Sequence, residues 1–270
     1  GELIVDNNGL NGSETPLRSV GSGIITDLTA TVLTDDNAAF QVPDDMTGAL
    51  GLIGLKLNPN IEQEKTFTII GNTATSITID SADGDMTEVA QAGDWYRGIY
   101  FFNSLTVRGK TILETTDDIF IASGGSLTVD DATVYANAIL GGATELNSQG
   151  GIINLNETLT LDRATLDNES LILSGPLKAN SLALLSGSLL THSGATTETT
   201  SRLELEVGVL TVDGTSAIDV TGKGYLGGGR SATGDYGRTL GNVPGSYRGV
   251  SGSYGGLGKI GDPSYPAPDT

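Results

Sequence analysis

The sequence has no cysteine, only one histidine among its 270 residues, and no long uninterrupted apolar run. The absence of cysteine excludes disulfides, thiolate metal sites and cysteine nucleophiles. The single histidine, His192 in "LLTHSGATTE", would have to serve any serine triad, and no G-x-S-x-G pattern accompanies it. We therefore expect His192 to lie in an exposed loop. No segment predicts a membrane span or a signal peptide, so for an exported protein we expect the signal to lie outside this chain.

Basic residues are scarce: 14 lysines and arginines face 33 acidic residues, which gives a net charge of -19. Phosphate backbones and anionic membrane surfaces would be repelled by such a chain. We expect neither a nucleic-acid partner nor membrane insertion. The C-terminal segment 222–270 differs, because it carries five basic and three acidic residues and is rich in glycine and tyrosine.

Helical periodicity is also scarce, and short alternating runs of Thr, Ser, Gly and β-branched residues dominate. These runs predict an all-β protein made of strands and turns. A helix is a candidate only at 85–94, "DMTEVAQAGD", where a loop is the alternative.

A short pattern recurs as "LTVRGKTI", "LTVDDATV", "LTLDRATL", "LALLSGSL" and "LTVDGTSA". The starting leucines, at 105, 127, 159, 182 and 210, are separated by 22, 32, 23 and 28 residues. A unit of about 22 residues with insertions predicts a solenoid whose coils contain two or three strands. Inward-facing stacks are expected from Leu127, Val129, Leu159, Leu161, Leu210 and Val212, and an outward acidic ladder from Asp130, Asp162 and Asp213.

Three regions follow from these patterns. Residues 1–102 are interpreted as a small β-sandwich or barrel-like cap with Trp95 in its core, and residues 103–221 as solenoid coils. The Gly/Tyr-rich residues 222–270 form the third region. The N-terminal "GELIVDN" is predicted to add as a strand to a neighbouring copy's open edge.

The repeats in 103–221 resemble the right-handed parallel β-helix of pectate-lyase-like enzymes, phage tailspikes and large bacterial surface proteins. The stretches "LTVDGTSAIDVTGKGYLGGG" and "GSYGGLG" are similar to glycine-rich coils of repetitive bacterial surface proteins. A β module found between such helices is similar to "LKLNPNIEQEKTFTIIGNTATSITIDS" with "AGDWYRG". The resemblance implies an extracellular or cell-surface protein, bacterial in origin, that is structural or adhesive and forms one segment of a longer assembly.

The most credible ligand is calcium, at the turn "DSADGD" that brings together Asp80, Asp83 and Asp85. Oxygen-rich turns suit this hard cation, although the spacing is not that of an EF-hand. A solvated acidic turn is the alternative interpretation.

No catalytic constellation accompanies the repeats. We expect a non-catalytic, filament-forming or adhesive subunit that self-associates head to tail. The alternative is a carbohydrate-active β-helix, either a polysaccharide lyase or hydrolase or a glycan binder. A lyase would need a basic residue such as Arg108 or Arg163 beside acidic calcium ligands.

Overall fold

The computed structural model describes residues 1–141, 145–228 and 236–247. Expectations for the remaining residues, including the tail beyond Tyr247, lie outside this range. The N-terminal strands are β1 (Glu2–Asp6), β2 (Thr15–Pro16), β3 (Ser22–Ile24), β4 (Asp27–Leu28), β5 (Val32–Thr34), β6 (Pro43–Asp44), β7 (Ala49–Leu50), β8 (Lys56–Asn58), β9 (Phe67–Asn72) and β10 (Ser76–Ile79).

The candidate helix at 85–94 is not formed as an α-helix. Two single-turn 3₁₀ helices follow β10 instead, η1 (Ser81–Asp83) and η2 (Met86–Glu88). The side chains of Asp80 and Asp85 cap their first turns by accepting backbone N–H bonds. The glycine that separates the two turns, Gly84, has a positive φ of 106°.

The following strands build the solenoid. They are β11 (Trp95–Phe102), β12 (Ser104–Arg108), β13 (Ile112–Glu114), β14 (Asp118–Ile121), β15 (Ser126–Asp130), β16 (Thr133–Ala136), β17 (Ile139–Leu140), β18 (Glu145–Gln149), β19 (Ile152–Leu155), β20 (Leu159–Thr160), β21 (Arg163–Asp167), β22 (Ser170–Leu173), β23 (Leu177–Leu185), β24 (Leu189–His192), β25 (Leu205–Val212) and β26 (Ala217–Ile218). A short antiparallel hairpin, β27 (Tyr236–Thr239) and β28 (Val243–Tyr247), follows, with the 3₁₀ turn η3 (Leu240–Asn242) between its strands.

The solenoid has three parallel faces, which confirms the predicted parallel β-helix. The first face stacks β1, β12, β15, β18, β21, the second half of β23, and β25. The second face stacks β2, β13, β16, β19, β22, β24 and β26. The third face stacks β11, β14, β17, β20 and the first residues of β23 and β25. Each coil therefore contributes one strand to each face.

Registered pairing places like side chains on top of one another inside the solenoid. On the first face one inward column is Leu3, Leu105, Leu127, Leu146, Ala164, Leu182 and Leu210. Its members from Leu105 to Leu182 are at most 1% exposed. Removing such branched side chains from water is the main favourable term in the folding of this rod.

The register corrects the predicted repeat. The column leucines and alanine are separated by 22, 19, 18, 18 and 28 residues from Leu105 to Leu210. Leu159, which the sequence placed in this column, pairs with Ile139 and Leu177 on the third face instead. The error arose because "LTLDRATL" contains the end of one face and the beginning of the next, and both read as alternating apolar and polar residues.

Residues 1–17 belong to the first coil of the solenoid. Strand β1, which the sequence grouped with the N-terminal cap, pairs in parallel with β12, and β2 pairs with β13. One edge of β1 is thus already used within its own chain, so the predicted addition to another copy could use only the other edge. Among the described strands β1 pairs only with β12, so its other edge has no partner strand there.

The chain between β2 and β11 forms an antiparallel module, defined here as residues 18–94. Its strands pair in the order β4, β5, β10, β9 and β8 around a separate core that includes Leu33, Phe67 and Ile77. Strand β8 pairs with one edge of β11, and β14 pairs with the other edge. Ile99 in β11 accordingly lies between Lys56 and Asp118. The module therefore covers the N-terminal end of the third face.

The last described coil is more exposed than the sequence indicated. Leu210 and Val212 continue the inward columns, yet they are 45% and 41% exposed. Among the described strands, β25 pairs only with β23, and β26 only with β24. Within the part of the chain that the structure describes, both ends of the solenoid thus present strand edges.

Substitution within β18 tests the inward column. Leu146→Ala should lower the free energy of unfolding by about 3 kcal/mol, because it leaves a cavity between fully buried neighbours. Asn147→Ala, at the next and exposed position, should change it by less than about 0.5 kcal/mol. Urea unfolding followed by circular dichroism measures both, and equal effects would contradict the register.

Candidate functional site

A buried carboxylate joins the module to the solenoid. Asp117, just before β14, is 1% exposed and accepts hydrogen bonds from the backbone N–H groups of Val20 (2.9 Å) and Gly21 (2.7 Å). Burial raises the pKa of Asp117 to about 7, against the lowering effect of those two bonds. A side chain at Gly98 would collide with this carboxylate, so glycine is required there in β11.

The adjacent Asp118 lies in a charge network on the outside of the third face. Its Oδ2 accepts a 2.9 Å hydrogen bond from Arg97 Nη1, and its Oδ1 accepts one of 2.7 Å from Asn137 Nδ2. The other terminal nitrogen of Arg97 donates to Glu157 Oε1 at 2.8 Å. The charge of Arg97 is therefore offset by two carboxylates, which lie two coils apart on the third face.

Next to this charge network, a column of mainly apolar side chains points outward from the third face. The outward column is Phe101, Phe120, Leu140 and Thr160, one residue from each successive coil. The Phe101 and Phe120 rings have centroids 5.3 Å apart and are tilted by 46°. Phe101 is 43% exposed, so an aromatic surface faces outward here.

A cavity of about 590 Å³ lies between this column and the module. The end of β8 and the loop after it form its other wall, with Asn58, Ile61, Gln63 and Glu64. Its size is typical of sites for small molecules, which combine an apolar lining with a few polar groups. We name this cavity the junction pocket.

The sequence did not identify the junction pocket. Phe101 and Phe120 are one coil apart in the chain, and only the strand register brings their rings together. Applying the coil spacing to the strands of the third face would have predicted that these two rings are neighbours. Ile61 and Glu64 come from the module, whose position no periodicity indicates.

The three predicted calcium ligands lie close in sequence, but their hydrogen bonds point to different elements. Asp80 accepts from Ala82 N (2.9 Å) and Asp85 from Thr87 N (2.8 Å), whereas Asp83 accepts from Thr68 N on β9. Hydrogen bonding to the side chain and then the backbone of Thr68 lowers the pKa of Asp83, and that of Thr87 lowers the pKa of Asp85 in the same way. Within residues 1–141, 145–228 and 236–247, no group of three or more acidic or histidine side chains is placed to hold a metal ion. Calcium binding at this turn stays a prediction.

Many aspartates serve the turns of the chain. Seven accept a hydrogen bond from the backbone N–H two residues later, which stabilises a tight turn; they are Asp6, Asp35, Asp44, Asp80, Asp85, Asp213 and Asp219. These turn-stabilising roles explain part of the acidic residue content that the sequence alone could have assigned to ligand binding.

Two expectations about single residues were wrong. His192 is 6% exposed at the end of β24, and its Nδ1 lies 2.7 Å from the Ser193 carbonyl oxygen. Trp95, expected in the core, is 51% exposed at the start of β11. The alternation of β11 explains the second error, because Tyr96 points inward and fills the core position while Trp95 points outward.

His192 lines a second cavity of about 590 Å³ near the last coil, together with Ser174, Arg202 and Lys223. Its described lining contains no aspartate or glutamate, so a Ser-His-Asp arrangement is not formed there. Ser174 Oγ is instead 3.1 Å from Ser193 Oγ.

The expected acidic ladder is not formed. Asp130 stacks between Arg108 and Gln149 on the first face, while Asp162 follows β20 at a corner. Asp213 accepts bonds from the backbone of its own turn and from Ser186 N. The two candidate lyase bases are also paired: Arg108 with Asp6 at 2.8 Å, and Arg163 with Glu145 at 3.6 Å.

No protein-family model, curated protein or solved structure matches this chain. Among the described residues, none of the helices has the length and apolar character needed to cross a membrane. The fold itself therefore defines the class of the protein, a parallel β-solenoid with an antiparallel module inserted within its first coil, between β2 and β11.

The junction predicts an unusual pH dependence of stability. Because the folded pKa of Asp117 is about 7 and its ordinary value is 3.8, the folded state binds an extra proton between these values. The free energy of unfolding should therefore fall as pH rises from 4 to 7, by on the order of 2–4 kcal/mol from this group. Glu169, with its pKa also raised to about 7 by burial, acts in the same direction.

Asp117→Asn should flatten this slope, leaving the part due to Glu169, and lower stability overall. Asp130→Asn, on the exposed side of β15, is the matched control and should keep the wild-type slope. Urea unfolding at pH 4.5, 6 and 7.5 gives the slopes. An unchanged slope in Asp117→Asn would contradict the assignment.

Proposed function

We propose that this protein is a non-catalytic, extracellular or cell-surface β-solenoid that works as a structural or adhesive unit. The observation that carries this proposal is the continuous in-register stack of coils with a strand edge open at each end. Such a stack grows by adding the same backbone and side-chain contacts again. A second copy can supply those contacts where the chain does not.

Self-association head to tail would place β25 of one copy against β1 of the next. Continuing the register of the first face pairs Leu210 with Leu3 and Val212 with Val5, so both inward columns continue across the junction. Among the described strands, those of the module pair with β11 on the third face and not with β1. Repulsion opposes the contact, since Glu2, Asp6 and Glu206 lie at the two ends and the whole chain carries -19.

Concentration and salt test the assembly. We expect end-to-end oligomers in electron micrographs and in light scattering, increasing with protein concentration and from 20 to 500 mM NaCl because salt screens like charges. Val209→Glu, at a 62% exposed position on the open β25 edge, should suppress them, because the continued register places it opposite Glu2 of the next copy. Ile152→Glu, at a 38% exposed position on the second face, is the control and should not. Rods of a single length under all conditions would contradict self-association.

A carbohydrate-active enzyme is the alternative class. The ion pairs of Arg108 and Arg163 speak against a lyase base at either position, because a protonated, paired guanidinium does not accept a proton. Incubation with pectic and neutral polysaccharides should therefore release no new reducing ends. Product formation that disappears in Asp118→Asn or Glu157→Gln would contradict the non-catalytic proposal.

Calcium at the turn of Asp80, Asp83 and Asp85 is retained as a separate proposal. Its support is that each carboxylate uses only one oxygen in the described hydrogen bonds to backbone N–H groups. The Lys56 Nζ lies 3.8 Å from Asp83 Oδ2, so calcium would share this carboxylate with a positive charge that is already present.

Millimolar calcium should raise the unfolding temperature of the wild type by a few degrees, through binding to the folded state alone. Asp80→Asn/Asp85→Asn should remove that increase, and Asp36→Asn, at another exposed turn position, should retain it. Equal melting curves with calcium and with chelator would contradict the site.

A further inference from the structure

We propose that the junction pocket binds a neutral saccharide unit, with the ring pair of Phe101 and Phe120 as its platform. This inference concerns the adhesive form of the proposed function and rests on the solenoid being non-catalytic. The pocket combines three features that together select this ligand class: an exposed apolar strip, unengaged polar groups at its sides, and a charge balance that disfavours anions.

The apolar strip is built from both walls. Phe101 and Ile61 are 43% and 44% exposed, and they flank the cavity from β11 and from the module loop. The exposed Phe101 ring, the partly exposed Phe120 ring and Ile61 line one cavity, and contiguous apolar surface in a groove is typical of binding sites. The C–H face of a hexose is such a surface.

The polar groups stand beside this strip. The Glu64 carboxylate is exposed, and neither it nor the Thr160 hydroxyl has a hydrogen-bond partner among the described residues. The Thr158 hydroxyl, by contrast, donates a 2.7 Å hydrogen bond to the carbonyl oxygen of Pro176. A carboxylate and a hydroxyl that flank an aromatic surface match the hydroxyl edge of a sugar, which both donates and accepts.

The charge balance argues against the anionic alternatives. Arg97 is the one basic residue among the described lining of the pocket. Its two terminal nitrogens donate hydrogen bonds, one to Asp118 and the other to Glu157. Glu64 adds a further negative charge. Uronates, sulfated sugars and phosphates would enter a site whose described cation is already neutralised, so repulsion would oppose them.

The geometry also gives the ligand a direction. The outward column from Phe101 through Phe120 and Leu140 to Thr160 runs along the solenoid axis, with coils about 4.8 Å apart. A ligand on this column spans four coils, about 14 Å, and lies parallel to the rod. An oligosaccharide chain, rather than a single sugar, therefore fits the full column.

Binding is tested with the full chain and four hexamers: gluco-, manno- and galacto-oligosaccharides as neutral probes, and oligogalacturonate as the anionic one. Saturation-transfer difference NMR detects contact, and isothermal titration calorimetry gives the affinity. We expect at least one neutral hexamer to bind and oligogalacturonate to bind at least about tenfold more weakly.

Phe101→Ala should weaken the neutral hexamer by about tenfold or more, and Thr160→Val, which keeps the side-chain volume, by several-fold. Tyr135→Ala, at a 39% exposed aromatic on the second face, is the matched control and should bind as the wild type does. Melting curves of each variant establish that the fold is retained.

The inference is overturned if no neutral hexamer gives a signal, if oligogalacturonate binds equally well, or if Thr160→Val and Phe101→Ala both bind as the wild type does. None of these outcomes affects end-to-end assembly, whose test uses no sugar. Release of reducing ends from a bound hexamer would instead contradict the non-catalytic function, so the two failures are distinguishable.

Discussion

Parallel pairing in register between successive coils is the constraint on which the rest of this structure depends. Because a one-residue slip in any strand would turn its leucines and valines outward, the inward columns fix the register of every coil. The same register then sets what lies outside. It places Phe101 over Phe120 and Arg108 beside Asp130, and it leaves a strand edge wherever the described stack ends.

The module adds a second constraint at one end of the rod. Strand β11 belongs to both parts: its first residues pair with β3 and β8 of the module, and its last residues pair with β14 of the solenoid. Asp117 and Arg97 contribute hydrogen bonds to this connection. The junction therefore contains a pH-sensitive carboxylate and also one wall of the junction pocket.

The sequence predicted the fold class because aliphatic alternation along strands is a strong local signal. It failed where local signals are degenerate. "LTLDRATL" looks like "LTVDDATV", yet Leu159 lies on another face because the coils shorten from 22 to 18 residues after Leu105. Trp95 and His192 were misplaced because burial depends on which neighbours a strand has, and composition carries no such information. The junction pocket is lined by residues that are distant in sequence, such as Ile61 on the module wall and Phe101 on the solenoid wall.

The central claim is that the two strand edges of the solenoid join in register, and the absence of cysteine permits a direct measurement. In the double variant Ile4→Cys/Thr211→Cys, the two thiols lie at opposite ends of one chain, about six coil spacings or 29 Å apart, too far for an internal disulfide. Continued register would bring them together between copies at parallel-strand spacing, within disulfide range. Oxidation followed by denaturing electrophoresis should then give a ladder of multimers for the double variant and at most dimers for each single variant. Monomers alone, at concentrations where the wild type forms oligomers, would contradict the account.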